Sequence, residues 1–353
     1  MTAWRSRSRR PAENNKVLEA YHAEQEVPAG FGPSALTVGN FDGVHAGHAR
    51  ILAQVRELAA ANGWRPAVVT FHPHPTTVVA PDRVPRLLTT LAARLRLLDQ
   101  LGMEAALVLP FTSELAGLGP EAFARRILVE RLQARAVVVG PNFRFGHRQA
   151  GNAQTLEELG RRFGFRVSVA PPVYCRGEMV SSSHLRRLVA EGAVSRAARL
   201  LARPFALEGP VVRGHGVGAR QTVPTLNLTP ENELLPACGV YITSARDPDS
   251  SRRWPSVTNV GHRPTFGGGD LSVETFLLRP LEGRAPARLS LDFWLRLREE
   301  RQFPSPAELR AQIFRDVLKA EKFFRRLGDR VWAFGGILAR QDSSESIVKE
   351  IPS

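Results

Sequence analysis

The stretch TVGNFDGVHAGH at residues 37–48 decides the fold of the first half of this chain. It continues an apolar run that predicts a short buried strand, and Asp42-Gly43 is typical of a turn. On a helix that follows this turn, His45 and His48 share one face at the N-terminal end, because they are three residues apart. The unpaired N–H groups and the positive partial charge at that end suit a phosphate group. The stretch therefore predicts a strand–turn–helix site for a phosphorylated ligand.

Histidines with this spacing also occur as ordinary surface residues or as half of a zinc site. A zinc site requires further ligands at close spacing, and the two cysteines, Cys175 and Cys238, are isolated in the sequence. The strand–turn–helix context therefore favours the phosphate site. The cysteines form no disulfide framework, the N-terminus has no apolar signal segment, and no apolar run is long enough to cross a bilayer. These observations predict a cytoplasmic protein without a membrane partner.

The chain has 353 residues, enough for two domains with separate cores, and a formal net charge of +14. Such a charge by itself indicates a nucleic-acid-binding protein. However, the basic residues are spread along the chain, apart from a cluster in the first ten residues at Arg5, Arg7, Arg9 and Arg10. Small polyanionic substrates explain the charge about as well, so we expect no nucleic-acid partner. Residues 1–33 are predicted to form a basic, disordered leader.

Short apolar runs alternate with amphipathic stretches through residues 34–202. The runs lie at 35–38, 67–71, 105–109, 136–139 and 167–170, with helical patterns at 49–61, 87–101, 120–132 and 154–163. This alternation predicts a parallel sheet with crossover helices, whose ligands bind beyond the C-terminal ends of the strands. Three unusual sequences follow predicted strands: GNFDGVHAGH, FHPHP at 71–75 and GPNFRFG at 140–146.

Residues 203–330 have a different pattern, in which Gly- and Pro-rich turns separate short β-like runs. These runs lie at 205–213, 239–245, 256–260, 272–278 and 287–297, and a helical pattern follows at 306–324. The pattern predicts a small antiparallel barrel or sandwich with a closing helix. Residues 331–353 are expected to form a polar tail.

Preceded by a strand and by G-x-F-D-G, the H-x-G-H pattern resembles the signature of the HIGH-type nucleotidyltransferases. The resemblance implies that both histidines donate hydrogen bonds to ATP phosphates, and that the nucleotide lies beside Gly39, Phe41 and Asp42. A second cluster opens another predicted helix and offers hydroxyl groups and a guanidinium to the departing pyrophosphate. It consists of Ser181, Ser182, Ser183 and Arg186. Taken alone, this cluster is equally compatible with a serine N-cap and a surface arginine.

In the second half, the stretch VVRGHGVGARQ is compatible with a phosphate-binding loop or with a hairpin bulge. Its alternating glycines are Gly214, Gly216 and Gly218. In extended backbone, Thr225 and Asn227 project to the same side, where they can share one Mg²⁺ ion; a polar edge strand is the alternative. Glu274 is a single carboxylate in the run SVETFLL. It is either exposed by alternation or a general base for an attacking hydroxyl group.

The order of these motifs resembles the prokaryotic bifunctional riboflavin kinase/FMN adenylyltransferase family, the FAD synthetases. The motifs are G-N-F-D-G-V-H-x-G-H, F-H-P-H-P, N-F-R-F-G, S-S-S-x-x-R-R, P-T-x-N, N-x-G-x-R-P-T-F and V-E-T, within residues 34–330. The resemblance implies a Rossmann-like domain at 34–202 that moves AMP from ATP to FMN with Mg²⁺. It also implies a Greek-key β-barrel at 203–330 that phosphorylates riboflavin with ATP and Mg²⁺.

The resemblance further implies individual residue roles. In the first domain, Asn142 completes the nucleotide site and the flavin side begins with Phe71, His72 and Pro73. In the second domain, Thr225 and Asn227 bind the metal and Glu274 is the base. The remaining implied contacts are Gly214, Gly216, Gly218 and Arg220 for ATP, and Arg298 and Glu300 for the flavin. A nucleotidyltransferase with a non-flavin acceptor is the alternative, although such an enzyme has no reason to carry a kinase-like second module.

Overall fold

Six parallel strands form one sheet in the first half of the chain. They are β1 (Glu19–Tyr21), β2 (Ser34–Val38), β3 (Arg65–Phe71), β4 (Ala105–Leu109), β5 (Ala134–Val139) and β6 (Arg166–Val169). The computed structural model, which describes residues 17–212, 225–250, 252–262 and 271–328, orders them β1-β4-β3-β2-β5-β6. β2 and β4 are buried along their whole length, as expected for apolar runs in a sheet covered on both faces. The predicted parallel sheet is confirmed.

The strand order positions the first candidate site. The chain runs from β2 through β3 to β4 in one direction, and it then returns to place β5 on the other side of β2. The crevice of such a sheet opens where this direction reverses, at the C-terminal ends of the strands. This places the stretch that follows β2 at the expected position for a ligand.

Helices connect the strands and cover both faces of the sheet. The longer α-helices are α1 (Ala46–Asn62), α2 (Leu91–Gln100), α3 (Ala153–Phe163), α4 (Ser182–Ala190), α5 (Val194–Leu201) and α6 (Pro306–Leu327). Shorter segments are Thr76–Val79, Ser113–Gly117 and Pro120–Phe123, the last continued by a π-helix at Ala124–Arg131, with 3₁₀ turns at Glu24–Glu26, Pro81–Arg83 and His147–Gln149. The pattern at 87–101 becomes helical only at Leu91, because Thr90 caps α2 and residues 87–89 bond to other segments.

Two small hairpins lie between β5 and α4. They pair Arg144–Phe145 with Gly151–Asn152, and Tyr174–Cys175 with Glu178–Met179.

Residues 19–33 correct the prediction of a disordered leader. Glu19–Tyr21 is an edge strand that pairs in parallel with β4, and Val27 and Phe31 are buried. Glu24 accepts two hydrogen bonds from the Arg126 Nε, each of 2.9 Å. These few apolar residues lie among charged ones, so the sequence of this segment has neither strand nor helix periodicity. Its packing against the sheet therefore could not be predicted. The basic cluster before residue 17 and the expected tail at 331–353 lie outside the described residues.

The second half forms a closed antiparallel barrel. Its strands are β7 (Phe205–Val212), β8 (Thr225–Leu228), β9 (Gly239–Arg246), β10 (Arg253–His262), β11 (Leu271–Leu277) and β12 (Arg288–Arg298). Their order is β7-β8-β11-β10-β9-β12, with β12 also paired to β7. β8 lies beside β11, the far strand of the β9–β10–β11 meander, which is a Greek-key arrangement. The predicted barrel is confirmed, and β8 adds a strand that the apolar runs do not indicate.

Alternating residues of the barrel strands separate an inner core from an outer face. The outer face of β9 and β10 carries Val240, Ile242 and Val257, which form one apolar cluster with Ala320 and Phe323 of α6. The closing helix therefore covers part of the barrel wall, as predicted. In the described ranges, no helix is long and apolar enough to span a bilayer.

Candidate active sites

The histidine pair stands where β2 ends and α1 begins. His45 is the N-cap of α1, and its Nδ1 accepts a hydrogen bond of 3.2 Å from the His48 backbone N–H. The two imidazole rings stack, with centroids 3.7 Å apart and planes 11° from parallel. The structure thus brings the two predicted residues together, although His45 lies just before the helix instead of on it.

Both imidazoles are neutral near pH 7. Burial, followed by the nearby Arg203 cation, lowers the pKa of His45 to about 4. Burial and then His45 lower the pKa of His48 well below its ordinary value. Because its Nδ1 accepts a hydrogen bond, neutral His45 carries its proton on Nε2. The site therefore offers a hydrogen-bond donor without a permanent positive charge on the imidazole.

The backbone before His45 is strained. Phe41 has a φ of 49° and Val44 a φ of 38°, both in the left-handed region. For a β-branched residue such as Val44 this conformation is an outlier that costs on the order of 1–3 kcal/mol. Strain of this kind persists only where surrounding contacts hold the backbone in place.

Side chains from distant segments hold the carbonyl groups of this loop. Thr70 Oγ1 donates to the Asn40 carbonyl at 3.2 Å, and Ser182 Oγ donates to the Asp42 carbonyl at 3.0 Å. The Arg203 guanidinium donates to the carbonyls of Gly43 and Val44 at 2.6 and 3.0 Å. These contacts fix the loop on which the histidines stand.

The structure places the side chain of Asp42 in the scaffold of the site. It is 1% exposed, and its carboxylate accepts hydrogen bonds from the N–H groups of Leu88 and Thr89 at 3.0 and 3.1 Å. Arg186 Nη2 donates to the same carboxylate at 2.7 Å, and Arg186 Nε donates to the Arg86 carbonyl at 3.1 Å. The two predicted nucleotide contacts, Asp42 and Arg186, are thus bonded to each other.

Two further predicted contacts are packing residues in this structure. Phe41 is 1% exposed and its ring lies 4.9 Å from the His48 ring, between centroids. A Cβ atom on Gly39 would lie 3.2 Å from the Phe41 ring, so Gly39 allows this ring to pack under the loop. Phe41 therefore supports the His48 ring from inside the molecule.

The serine cluster combines a cap and a loop contact. Ser181 is the N-cap of α4, where its Oγ accepts a hydrogen bond of 3.3 Å from the His184 N–H. Ser182 bonds the Asp42 carbonyl, as described above, and Ser183 is exposed. The interpretation as an N-cap therefore holds for Ser181, while Ser182 connects α4 to the histidine loop.

The ends of β3 and β5 complete the rim of the first site. Phe71 ends β3, and His72 and Pro73 after it are exposed. His74 Nε2 lies 3.0 Å from Asn40 Nδ2, which joins this segment to the histidine loop. Asn142 is exposed in the turn after β5. Three strand ends thus meet at one edge of the sheet, as predicted.

At the barrel, strand register brings the predicted polar residues into one row. Glu274 of β11 lies directly opposite Asn227 of β8 on one side and Asn259 of β10 on the other. The row continues through Val240 of β9 to Arg298 of β12. Directly opposed residues share one face of a sheet with Cβ atoms about 5 Å apart. Thr225 lies on the same face as Asn227, two residue pairs away along β8 and opposite Phe276.

The predicted flavin contacts lie at the end of this row. Arg298 Nε donates to Asp316 Oδ2 of α6 at 2.9 Å. The Glu300 carboxylate lies against Gly261, in the space that a Cβ atom there would need. Gly214, Gly216, Gly218 and Arg220 lie outside the described residues.

The barrel row provides oxygen ligands of the kind that Mg²⁺ prefers. A hydroxyl, an amide and a carboxylate are available from Thr225, Asn227 and Glu274 on one face. Within the part of the chain that the structure describes, no cluster of three or more His, Cys, Asp or Glu side chains could hold a metal ion. Mg²⁺ at this row would therefore also need ligand oxygens from a substrate, which is its usual way of binding.

Sequence reasoning missed several residues that these sites use. Asn259 belongs to a quoted motif, but its place beside Glu274 follows only from the register of β10 and β11. Arg94 is buried under the first site and donates from Nη1 to the Phe71 carbonyl at 3.3 Å. Arg203 precedes the barrel by two residues and contacts a loop about 160 residues earlier. For Arg94 and Arg203 the local sequence contains no signal of these contacts.

Comparisons with known proteins identify relatives of both halves. The family model for FAD synthetase matches residues 29–184, and the model for riboflavin kinase matches residues 201–324. A bifunctional riboflavin kinase/FMN adenylyltransferase of Escherichia coli (strain K12) is 33% identical over 310 residues, covering 88% of this chain and 98% of the relative. The protein of that name from Pseudomonas fluorescens is 37% identical over 285 residues, covering 80% and 91%. The one from Bacillus subtilis (strain 168) is 29% identical over 318 residues, covering 88% and 99%.

Among solved structures, a protein described as a macrolide-efflux protein from Streptococcus pneumoniae matches with a TM-score of 0.75 and 24% identity. The match covers 85% of this chain and 97% of that one. At this identity the likeness shows a shared fold.

Proposed function

The chain belongs to the family of bifunctional riboflavin kinases/FMN adenylyltransferases, and we propose that each of its two sites carries one of the two activities. One activity phosphorylates riboflavin to FMN with ATP. The other transfers AMP from ATP to FMN, which yields FAD and pyrophosphate. We assign the adenylyl transfer to the histidine site and the phosphorylation to the barrel row. We further propose that the two modules meet between residues 202 and 203 and that the protein works in the cytoplasm.

Adenylyl transfer requires that ATP be held in line with the attacking FMN phosphate while charge on the reacting phosphate is stabilised. His45 donates a hydrogen bond from Nε2 to a phosphate oxygen at the N-terminus of α1, and His48 stacks against it and donates beside it. Because both rings are neutral, their hydrogen bonds can stabilise the charge that develops on the phosphate during the reaction. A fixed cation in the same place would also bind the charged product tightly. The stacked, neutral pair, with centroids 3.7 Å apart, is the observation that carries this assignment.

The remaining rim residues bind the two substrates. Asn142 and the loop at Gly39 contact the nucleotide, while Ser183 and Arg186 face the departing pyrophosphate, with Arg186 oriented by Asp42. The end of β3 and the exposed residues after it form the flavin side, through the half-buried Phe71 and the exposed His72 and Pro73. Phe71 packs edge-on against Phe111, with ring centroids 5.5 Å apart, and so presents an aromatic surface to a planar ring system.

In the barrel, Glu274 acts as the general base of the kinase. It takes the proton from the terminal ribityl hydroxyl of riboflavin as that oxygen attacks the γ-phosphate of ATP, the bond to the β–γ bridging oxygen breaks and ADP leaves. Asn227 and Thr225 bind Mg²⁺, which neutralises phosphate charge when it is bound. Arg298 and Glu300 lie toward the flavin, and the glycine stretch with Gly214, Gly216, Gly218 and Arg220 contacts ATP. The register of Asn227, Glu274 and Asn259 is the observation that carries this assignment.

The test uses the two activities of one purified protein as controls for each other. Glu274→Gln is expected to lower riboflavin phosphorylation on the order of 10²- to 10⁴-fold, the usual contribution of a general base, and to leave FMN-to-FAD conversion unchanged. His45→Ala is expected to lower FAD formation by about 10²-fold and to leave phosphorylation unchanged. Glu282→Gln, an exposed glutamate in a barrel loop, is the matched control. If either site variant lost both activities while folded, the assignment of separate sites would be wrong.

A further inference from the structure

Arg203 lies between the two halves of the chain, after α5 and before β7, and its side chain reaches into the first site. Its Nη2 donates to the Gly43 carbonyl at 2.6 Å and its Nη1 to the Val44 carbonyl at 3.0 Å. Nη1 also lies 3.3 Å from the Leu201 carbonyl. The Val44 carbonyl belongs to the peptide group that joins Val44 to His45, so the guanidinium bonds directly to the peptide group that leads into the histidine.

The surroundings of Arg203 keep it charged. Burial lowers its pKa to about 10, while the barrel carboxylates Asp292 and Glu208 oppose that shift. The residue lines a cavity of about 130 Å³ between the halves, whose wall also contains Leu88 and Pro204. At neutral pH the guanidinium is therefore a cation that donates to the carbonyl groups of the histidine loop.

The loop requires such a contact. Val44 is β-branched and fully buried in the left-handed region, a conformation that persists only when neighbouring groups over-determine it. Two charge-assisted hydrogen bonds from one planar guanidinium hold two successive carbonyls in a fixed relative orientation, which a lysine ammonium does not reproduce. Thr70 and Ser182 hold the earlier part of the loop at the carbonyls of Asn40 and Asp42. Without Arg203, the two carbonyls next to His45 lose their donors, and the peptide group that leads into the histidine is less constrained.

We propose that Arg203 is a positioning residue for adenylyl transfer, through which the first residues of the kinase half hold the histidine loop in its reactive geometry. The inference rests on the proposed role of His45. Other contacts already join the two halves, among them the Arg96–Glu208 ion pair and the hydrogen bond of Asn232 to the Leu88 carbonyl. Arg203 differs from these contacts because it bonds the loop itself.

The experiment compares Arg203→Ala, Arg203→Lys and Arg96→Ala in the full-length protein. Arg96→Ala is the matched control, because it removes an arginine of the same interface that does not contact the histidine loop. For Arg203→Ala we expect kcat for FMN adenylylation to fall on the order of 100-fold, the cost of a misplaced catalytic group, with little change in KM for ATP. Arg203→Lys should fall between this variant and wild type. Riboflavin phosphorylation should be unchanged in all three variants.

A second measurement tests whether the Arg203 cation lies beside His45 in the folded protein in solution, which the positioning role requires. In NMR titrations of labelled histidine, Arg203→Ala should raise the pKa of His45 from about 4, because the variant removes a nearby cation. Asp42 and Arg186, the other charges that act on His45, are retained, and Arg96→Ala should leave this pKa unchanged.

The outcomes distinguish this inference from the proposed function. His45→Ala is assayed in parallel: if it kept wild-type FAD formation, the proposed role of the histidine would fail. If His45→Ala lost activity but Arg203→Ala kept it, only the positioning role would be overturned. An equal loss of both activities in folded Arg203→Ala would likewise overturn it, since the residue would then act on interface packing. Should Arg203→Ala fail to fold, Arg203→Lys decides, because normal adenylylation in that variant rejects the inference.

Discussion

At the sheet, the histidines stand on a strained loop that side chains from β3, α4 and the start of the barrel hold in place. At the barrel, Asn227, Glu274 and Asn259 stand on three neighbouring strands, and the register of the backbone ladder aligns them. The first site therefore depends on contacts between residues far apart in sequence. The second depends on register, which the alternation of inner and outer residues fixes.

This difference predicts how each site responds to substitution. A change remote from the histidines should disturb the first site when it removes one of the contacts that hold the loop. At the barrel, a substitution on the outer face should act only through the side chain that is removed, since the neighbouring ladder remains intact. The substitutions below test this contrast, in order of the effect that we expect.

The largest effect should come from Asp42→Ala. The variant leaves the Arg186 guanidinium and the N–H groups of Leu88 and Thr89 without their carboxylate. Removing one partner of a buried ion pair costs about 3–5 kcal/mol, so we expect a loss of this size in the free energy of unfolding. Urea unfolding followed by circular dichroism measures it.

Glu121→Ala is the control for Asp42→Ala, because Glu121 pairs with Arg125 and Arg162 on the surface. Solvent screens such pairs, so its effect should be much smaller. Equal effects of the two substitutions would show that Asp42 does not hold the loop, and the contrast between the two sites would then fail.

The next largest effect is a pH dependence that His45 imposes on the first site. Its pKa is about 4 in the folded protein, against an ordinary value of 6.5, so the unfolded chain binds a proton that the folded one does not between these values. The free energy of unfolding should therefore fall as the pH drops from about 6.5 toward 4, by up to about 3 kcal/mol, and should not change on this account above pH 7.

His45→Asn tests the origin of this pH dependence, because asparagine retains a side-chain acceptor for the N-terminus of α1. In this variant the slope of stability against pH between 4 and 6.5 should become shallower, as urea midpoints at several pH values would measure. It should not vanish, because the pKa of His48 is also lowered by burial and this residue still gains a proton on unfolding. A slope equal to that of wild type would assign the dependence to other groups.

The sequence alone predicts much of this architecture. The elements that it does not predict share one cause, which is that they form through pairing with distant segments. The apolar runs predict β2 through β5 because each is a largely apolar stretch buried in the sheet. β6 matches an apolar run as well, although as an edge strand it is mostly exposed. β1 and β8 are short, at three and four residues, and carry polar residues, so neither has a periodic signal. Both are strands because a neighbouring strand pairs with them.

The site residues likewise fall into those that the local sequence indicates and those whose roles depend on distant partners. The spacing of His45 and His48 indicates a shared position, and the structure brings them together. The roles of Asp42 and Arg203 depend on partners dozens of residues away, which a local pattern does not contain. In the barrel, the sequence identifies Glu274 as a carboxylate in an apolar run. Its neighbours Asn227 and Asn259 can be identified only once the pairing register of β11 with β8 and β10 is known.

A smaller effect is expected at the barrel from Asn259→Ala. The substitution removes the amide that lies opposite Glu274, so the carboxylate loses a neighbour that orients it. If the amide is worth one hydrogen bond of about 1 kcal/mol to the reaction, riboflavin phosphorylation should fall by about fivefold. FMN adenylylation should be unchanged. Asn62→Ala, at the exposed end of α1, is the control, and an equal loss of both activities in Asn259→Ala would contradict the register-based site.

The smallest effect should come from substitutions of Ser181. They test whether this residue of the first site acts as a helix cap or as a ligand contact. Ser181 Oγ accepts the His184 N–H at the start of α4, so Ser181→Ala should lower the free energy of unfolding by about 1 kcal/mol. Ser181→Asn should restore it, because asparagine is an equally good N-cap. If Ser181 acts only as a cap, Ser181→Asn should also keep the wild-type rate of FAD formation. If the Ser181 hydroxyl contacts pyrophosphate, Ser181→Asn should be as stable as wild type but should form FAD more slowly. Ser182, the next residue at the start of α4, already donates a hydrogen bond to the Asp42 carbonyl and so holds the histidine loop. A Ser181→Asn variant with wild-type stability but slower FAD formation would show that the start of α4 also contacts the ligand directly.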